Sequence, residues 1–318
     1  MLSQKGYEII ILDSFVHNQV FNQKNVTVIK KDFADKANLN ALFSHWDIKA
    51  VMHFAALIDV GLSAKDPLRF YDNNVSKTIK LLEMMVKHNV KKFIFSSSCA
   101  IYGNPLSLPI KENHPKNPIS PYGKSKLMVE MIIKDFHKSY DIAYVNLRYF
   151  NVAGAMPHYG LGEQHKPETH IIPLIIRAML AKKPFYVFGN DYKTEDGSCI
   201  RDFIHIWDIA HAHWLALEYL NNGNRSTSFN LGSGEGFSVD QLVRAIEKTC
   251  SSKIQILHQK RRIGDPAILI ADASKARKVL RWKPSYSDID TIIKTAYEYE
   301  IAPIPPKTKQ ITAKSYRF

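Results

Sequence analysis

The sequence predicts an α/β protein, a doubly wound parallel sheet joined to a smaller C-terminal domain. Short apolar runs alternate with segments of helical period through the first half of the chain, the trace that successive βαβ units leave. From about residue 155 that alternation lapses into loops rich in Gly, His and Pro, which lead to a helix at Ile172–Ala181. Between the two regions, a strand ending in three serines is followed by a tyrosine and a lysine four residues apart at a helix start.

In chain order, Tyr7-Glu-Ile-Ile-Ile-Leu-Asp13 follows a turn at Gly6 and reads as a strand. The run is too short to span a bilayer and lacks a small-residue cleavage site. Val26 to Phe33 reads as the next strand and ends in an acid, Asp32. Ala37 to Trp46 has helical spacing, and Ala50-Val-Met-His-Phe54-Ala55-Ala56 is a further strand whose small residues allow close backbone approach. Tyr71 to His88 has helical period, and Asn73 at its start could serve as an N-cap.

Lys91 to Gly103 is a buried strand that closes on Ser96-Ser97-Ser98 and a glycine turn. Ligands of open parallel sheets sit beyond the carboxyl ends of the strands, which puts Ser98 in the crevice. Ser120-Pro121-Tyr122-Gly-Lys124-Ser-Lys126 then opens a helix, Pro121 suiting its first turn. Four residues make about one turn, so Tyr122 and Lys126 share a face. An ammonium beside the phenol favours the phenolate and lowers its pKa, as suits a base that takes a proton from an alcohol, with Ser98 sharing that proton. Ile142 to Asn151 is the next strand, running into a loop.

At 318 residues and 45% hydrophobic content the chain can build a substantial core. Its formal charge of +13 and pI ≈ 9.4 suit nucleic acid, a membrane surface or an anionic small ligand. No basic helix interleaved with aromatics and no zinc-finger spacing occurs, which sets nucleic acid aside. Cys99, Cys199 and Cys250 are widely spaced and odd in number, against a disulfide framework or a C-x-x-C metal site, and consistent with a reducing, cytoplasmic setting.

The blocks His53-Phe-Ala-Ala56, Tyr71-Asp-Asn-Asn74, Phe95-Ser-Ser-Ser98, Tyr122-x-x-x-Lys126, Leu147-Arg-Tyr-Phe-Asn151, Phe188-Gly-Asn-Asp-Tyr192, Arg201-Asp-Phe-Ile-His205 and Arg261-Arg-x-Gly-Asp265 run through almost the whole chain. Together they resemble the UDP-glucose 4-epimerase family of extended short-chain dehydrogenases/reductases, whose fold is Rossmann-like. The resemblance implies interconversion of UDP-glucose and UDP-galactose with tightly held NAD, Tyr122 as base, Ser98 sharing its proton and Lys126 holding the nicotinamide ribose. It implies cofactor contacts from Asp13, Asp32, Phe33, Phe54, Ala55, Ala56, Asn73, Ser96, Tyr122, Lys126 and Tyr149. It places Ser98, Tyr122, Asn151, Tyr186, Phe188, Arg201, Arg262 and Asp265 on the UDP-sugar, and implies a homodimer with no metal, nucleic-acid or membrane partner. Arginine forks suit the phosphate oxygens because two N–H groups bond at once.

Residues 1–154 are expected to form the dinucleotide-binding domain and 155–300 the substrate domain, with 203–234 returning to the first and 301–318 a disordered tail. Two departures from the family stand out. Ile58 occupies a position where the family often has a lysine, and the family's first strand with its Gly-x-x-Gly-x-x-Gly loop has no counterpart before Gly6. That loop normally cradles the pyrophosphate, so the chain as written is expected to fold poorly and carry little NAD unless an upstream extension supplies it. A sugar 4,6-dehydratase is the nearest enzymatic alternative, disfavoured because Cys99-Ala-Ile-Tyr102 follows Ser98 where an Asp-Glu pair would be needed. A catalytically inert nucleotide-sugar binder is the alternative from another class. Leu269, by its spacing from Asp265 and Asp272, stands where the family gates the C2 substituent, and its size favours plain hexoses.

Overall fold

A computed structural model describes residues 1–14, 24–165, 167–261 and 265–302. β1 (Ile9–Asp13) and β2 (Val26–Lys30) pair in parallel, from Ile9 against Val26 to Asp13 against Lys30. α1 (Lys36–His45) opens on Asp35, whose carboxylate accepts the Asn38 N–H, and buries Leu39, Leu42 and Phe43. β3 (Val51–His53) is shorter than its apolar run, so Phe54, Ala55 and Ala56 lie beyond its carboxyl end.

α2 (Val60–Lys65) and α3 (Pro67–Tyr71) follow. The single helix expected from Tyr71 to His88 is instead α3, a π-helical turn at Asp72–Ser76 and α4 (Lys77–Lys87). The widened turn holds Asn74, not Asn73, in the interior. Its amide accepts the Leu57 N–H at 2.8 Å and donates to Leu57 O at 2.9 Å and Ser125 Oγ at 3.1 Å. Asn73 is no N-cap; it donates to Asn74 Oδ1 at 3.1 Å.

β4 (Lys92–Ser98), α5 (Pro121–Tyr140), β5 (Ala143–Tyr149), α7 (Ile206–Asn221) and β9 (Thr227–Leu231) complete the larger sheet. It runs β3-β4-β5-β9, parallel throughout, with β4 in the interior. Among the described residues β1 and β2 form a two-stranded sheet of their own, and Ile10 and Leu12 pack on the same core as Phe93 and Phe95 of β4 and Val129 and Ile133 of α5. On the opposite face, α7 and α9 (Ser274–Val279) cover Ile94, Val145, Leu147 and Phe229, with Trp282 fully buried.

The remaining strands are β6 (Asn151–Ala153), β7 (Phe185–Phe188), β8 (Ile200–His205), β10 (Gly236–Ser238), β11 (Ile256–Gln259) and β12 (Ile268–Leu269). β8 carries β6, β10 and β12, and β7 pairs with β11. α6 (Ile171–Leu180), α8 (Val239–Thr249) and α10 (Ile289–Ile301) pack a second core around Ile175, Leu242 and Ile292. The two parts meet where Ile101, Tyr102 and Ile110 pack on Phe150, Leu269 and Ala271. Of the expected tail, residues 303–318 lie outside the described residues.

Candidate active site

β4 ends by design of its sequence. Phe93, Ile94 and Phe95 bury themselves in the sheet, and the serines that follow emerge at its carboxyl edge. α5 is aimed at that edge by its own start: Ser120 Oγ accepts the Gly123 N–H at 3.1 Å, and Pro121 occupies the first turn. Gly123 lies so close to the turn after β4 that a methyl group there would stand 2.5 Å from the Ala100 carbonyl oxygen. This close approach brings Tyr122 onto the same cavity wall as Ser98.

One face of α5 carries Tyr122, Lys126 and Glu130 in successive turns. Lys126 is buried, its Nζ donating to Ser96 O at 2.8 Å and standing 5.9 Å from the Tyr122 ring centre. The net shift of the phenol runs upward, set by burial rather than by the lysine. Burial pushes the Tyr122 phenol up to about 12, the Ser98 hydrogen bond opposing it, and burial brings Lys126 down to about 7. Desolvation penalises both charged forms, and at this separation it outweighs the mutual attraction.

Below this pair, Glu130 receives Arg148 Nε at 2.9 Å and Nη2 at 2.7 Å, and accepts the Ser97 hydroxyl at 2.6 Å. Arg148 Nη1 also donates to Tyr102 Oη at 2.9 Å, and Tyr102 donates to Asn230 Oδ1 at 2.6 Å. Tyr149 ends β5 beside Ser96 and donates to His213 Nε2 at 2.5 Å. The direction follows from His213 Nδ1, which must donate to the Ile209 carbonyl at 2.9 Å. The imidazole also packs on Phe54, ring centres 4.7 Å apart.

Ser96, Ser97, Ser98, Tyr122, Lys126 and Tyr149 line a cavity of ≈ 2410 Å³. Asp13, Phe54, Ser96, Ser98, Tyr122, Lys126 and Tyr149 share its wall with Asn151, Arg201, Asp265 and Leu269. Arg201 is paired with Asp265. Asp32, Phe33, Ala55, Ala56, Asn73, Tyr186 and Phe188 do not line it. Asp32 pairs with Lys77 at 2.7 Å, Phe33 packs on His53, and Tyr186 and Phe188 lie at the surface on β7. Arg262 falls outside the described residues. Ile58 lines the cavity without a charge.

Sequence reading missed His213, the Arg148–Glu130 pair and a cavity-wall group made of Glu163, His165, Glu168 and His170. Only the last had a local signal, the Glu-x-His-x-x-Glu-x-His spacing.

Residues 1–232 match the NAD dependent epimerase/dehydratase family. The chain is 46% identical to the UDP-glucose 4-epimerase of Streptococcus mutans over 303 residues, 94% of this chain and 91% of that protein. Its fold matches a UDP-glucose 4-epimerase from Brucella ovis solved with NAD at a TM-score of 0.88 and 40% identity, covering 94% of this chain and 92% of that one. A UDP-glucose 4-epimerase from Bifidobacterium longum solved with NAD+ and UDP matches at 0.88 and 37%, with 94% and 92% covered.

Two buried imidazoles give the fold an acid limit. Burial lowers His53 to about 3 and His213 to about 4 from the ordinary 6.5. Below 6.5 the unfolded chain takes up protons that the folded one refuses, so the stability present above that pH is lost as pH falls toward 4 and 3. Each histidine contributes a slope of up to about 1.4 kcal/mol per pH unit. Urea unfolding from pH 8 to 5 should show this slope, and His53→Gln and His213→Gln should each flatten it. Variants whose stability falls in parallel with wild type would contradict the assignment.

Proposed function

We propose, from the premise that the chain belongs to the NAD dependent epimerase/dehydratase family, that it interconverts UDP-glucose and UDP-galactose as an NAD-dependent UDP-glucose 4-epimerase. The observation that carries this reading is the grouping of Ser98, Tyr122 and Lys126 on one cavity wall. That cavity, at ≈ 2410 Å³, exceeds the ~300–1,000 Å³ of ordinary small-molecule sites, as a dinucleotide and a nucleotide sugar together require.

The residues present fit the cofactor. Among the described residues one of the three Lys126 N–H donors is used by a carbonyl, leaving donors for a ribose diol, and Asp13 lies on the same wall. NAD, when bound, supplies the oxidising power, accepting a hydride from C4 of the hexose and returning it. Tyr122 takes the 4-hydroxyl proton as the C4–O bond becomes a carbonyl, and gives it back when the C–H bond re-forms on the opposite face. Ser98, on the same wall, is proposed to share that proton. The phenol is raised to about 12, so it acts as base only with positive charge beside it, and Lys126 near 7 can be charged at neutral pH. Inversion follows because the 4-keto sugar turns over inside the cavity between the two half-reactions.

Phe54, Ser96 and Tyr149 are proposed to hold the cofactor, and Asn151, Arg201 and Asp265 the UDP-sugar. The parallel pairing of β9 with β5 supports a first domain at 1–154 that takes back 203–234 from a substrate domain at 155–300. A homodimer is supported by Ile79 of α4 and by Met128 and Met131 of α5, apolar and exposed on neighbouring helices, and sedimentation velocity decides it. A cytoplasmic location accords with the absence of disulfides among the three cysteines. Among the described residues, no helix is long and apolar enough to cross a membrane.

Tyr122→Phe removes one hydroxyl at a cavity wall and leaves the helix intact. Turnover of UDP-galactose should fall by about two to four orders of magnitude, the usual worth of a positioned acid–base group. A pure, folded variant with near wild-type turnover would remove Tyr122 from the role of base. In the same assay Leu269, buried and on the cavity wall, is proposed to favour plain hexoses. UDP-N-acetylglucosamine turned over as efficiently as UDP-glucose would contradict that.

A further inference from the structure

Two phenols, Tyr122 and Tyr149, share the cavity wall with Ser98, and only one of them can be the base. The parallel pairing of β4 with β5 sets Tyr149 directly opposite Ser98, so the two side chains leave the same face of the sheet. A phenol carries one hydrogen and two lone pairs. Left free to turn, the Tyr149 hydroxyl would offer its hydrogen to oxygens of the site and occupy a lone pair that has to receive the proton of the substrate. His213 prevents this. Its Nδ1 donates to Ile209 O at 2.9 Å, so the neutral ring has no hydrogen on Nε2, which accepts that of Tyr149 at 2.5 Å. The imidazole is 3% exposed, and Phe54, itself 56% exposed at the cavity wall, packs against it with ring centres 4.7 Å apart. Water is thereby kept from competing for Nε2. The ring is carried by α7, which buries Ile209, Ala212 and Ala216 in the core under the sheet, so its place is set by packing that owes nothing to Tyr149.

We propose that His213 is a positioning residue of the site: by drawing the Tyr149 hydrogen out of the cavity toward α7, it leaves Tyr149 an acceptor-only oxygen there and keeps the lone pairs of Tyr122 open to the sugar 4-hydroxyl. The proposal rests on the epimerase reading and deepens it. His213 does not itself line the cavity and acts through Tyr149. The arrangement suits the chemistry of the ligands in that reading. The amide of a nicotinamide ring and the hydroxyls of a hexose carry hydrogens that a phenol oxygen can accept, and an acceptor that cannot switch to donor fixes which way such a group is turned. With an apolar side chain at position 213, the phenol hydrogen would have to find its partner inside the site.

The test is a double-mutant cycle on the full chain, read as kcat and KM for UDP-galactose. His213→Leu keeps apolar bulk on α7 and removes the acceptor, so kcat should fall by about tenfold or more while KM stays within about twofold. His213→Gln retains an acceptor oxygen near the place of Nε2 and should recover most of that loss. In Tyr149→Phe there is no hydroxyl hydrogen to direct, and adding His213→Leu should change kcat by less than about twofold. An equal His213→Leu effect in both backgrounds, or none beside an intact Tyr149, would overturn the proposal. Should His213→Leu fail to fold, His213→Met takes its place in the cycle. A second readout is independent of turnover: nuclear magnetic resonance of protein isotopically labelled in the histidine ring nitrogens, with His213→Gln identifying the signal. His213 should carry its hydrogen on Nδ1, and its Nε2 resonance should move in Tyr149→Phe; a hydrogen on Nε2 would overturn the proposal. A folded wild type that does not turn over UDP-galactose would instead count against the epimerase reading itself.

Discussion

The buried ion pair between Arg148 and Glu130 sets the geometry on which the site depends. Its side chains are 4% and 7% exposed, and it joins β5 to α5 in the bidentate form that fixes orientation as well as distance. The Ser97 hydroxyl brings in β4, and Tyr102 with Asn230 brings in the loop after β4 and strand β9. Two desolvated charges of this kind are weak evidence for net stability, but removing either partner strands the other in a dry interior. What the pair secures is position. Glu130, Lys126 and Tyr122 lie on one helix face, so fixing the first in the sheet fixes the register of the other two.

The same burial that makes this frame rigid also sets the chemistry of the groups it presents. A phenol raised to about 12 is neutral in the resting site, and a lysine lowered to about 7 is poised between its charged and neutral forms. Such a site holds its proton until positive charge is placed beside the phenol. The line from Tyr149 through His213 ends on the Ile209 carbonyl, so both of its hydrogens have a set direction. His213, kept neutral by burial, acts in it as an acceptor.

Local signals made much of this legible in the sequence. The apolar runs mark β1 through β5, Ser120-Pro121 marks the start of α5, and the spacing of Tyr122 and Lys126 puts them on one face. Properties that depend on distant partners were not legible. Glu130 and Arg148 read as surface charges until the fold brings them together, and Tyr102 meets a partner 128 positions away. The interior position of Asn74 was not legible, because a regular helical period does not reveal a π-helical turn. The direction of the Tyr122 shift depends on burial, which spacing does not encode. The exposure of Tyr186 and Phe188, placed on the UDP-sugar by resemblance alone, depends on how β7 sits in the fold and has no local signal.

The central claim is that C4 of the sugar is oxidised and reduced within one closed site, with the proton handled by Tyr122 and the hydride never exposed to water. UDP-galactose carrying deuterium at C4, converted in ordinary water and followed by nuclear magnetic resonance, tests this directly. The account predicts that the UDP-glucose formed keeps its deuterium at C4. Loss of that label to solvent during turnover would contradict it.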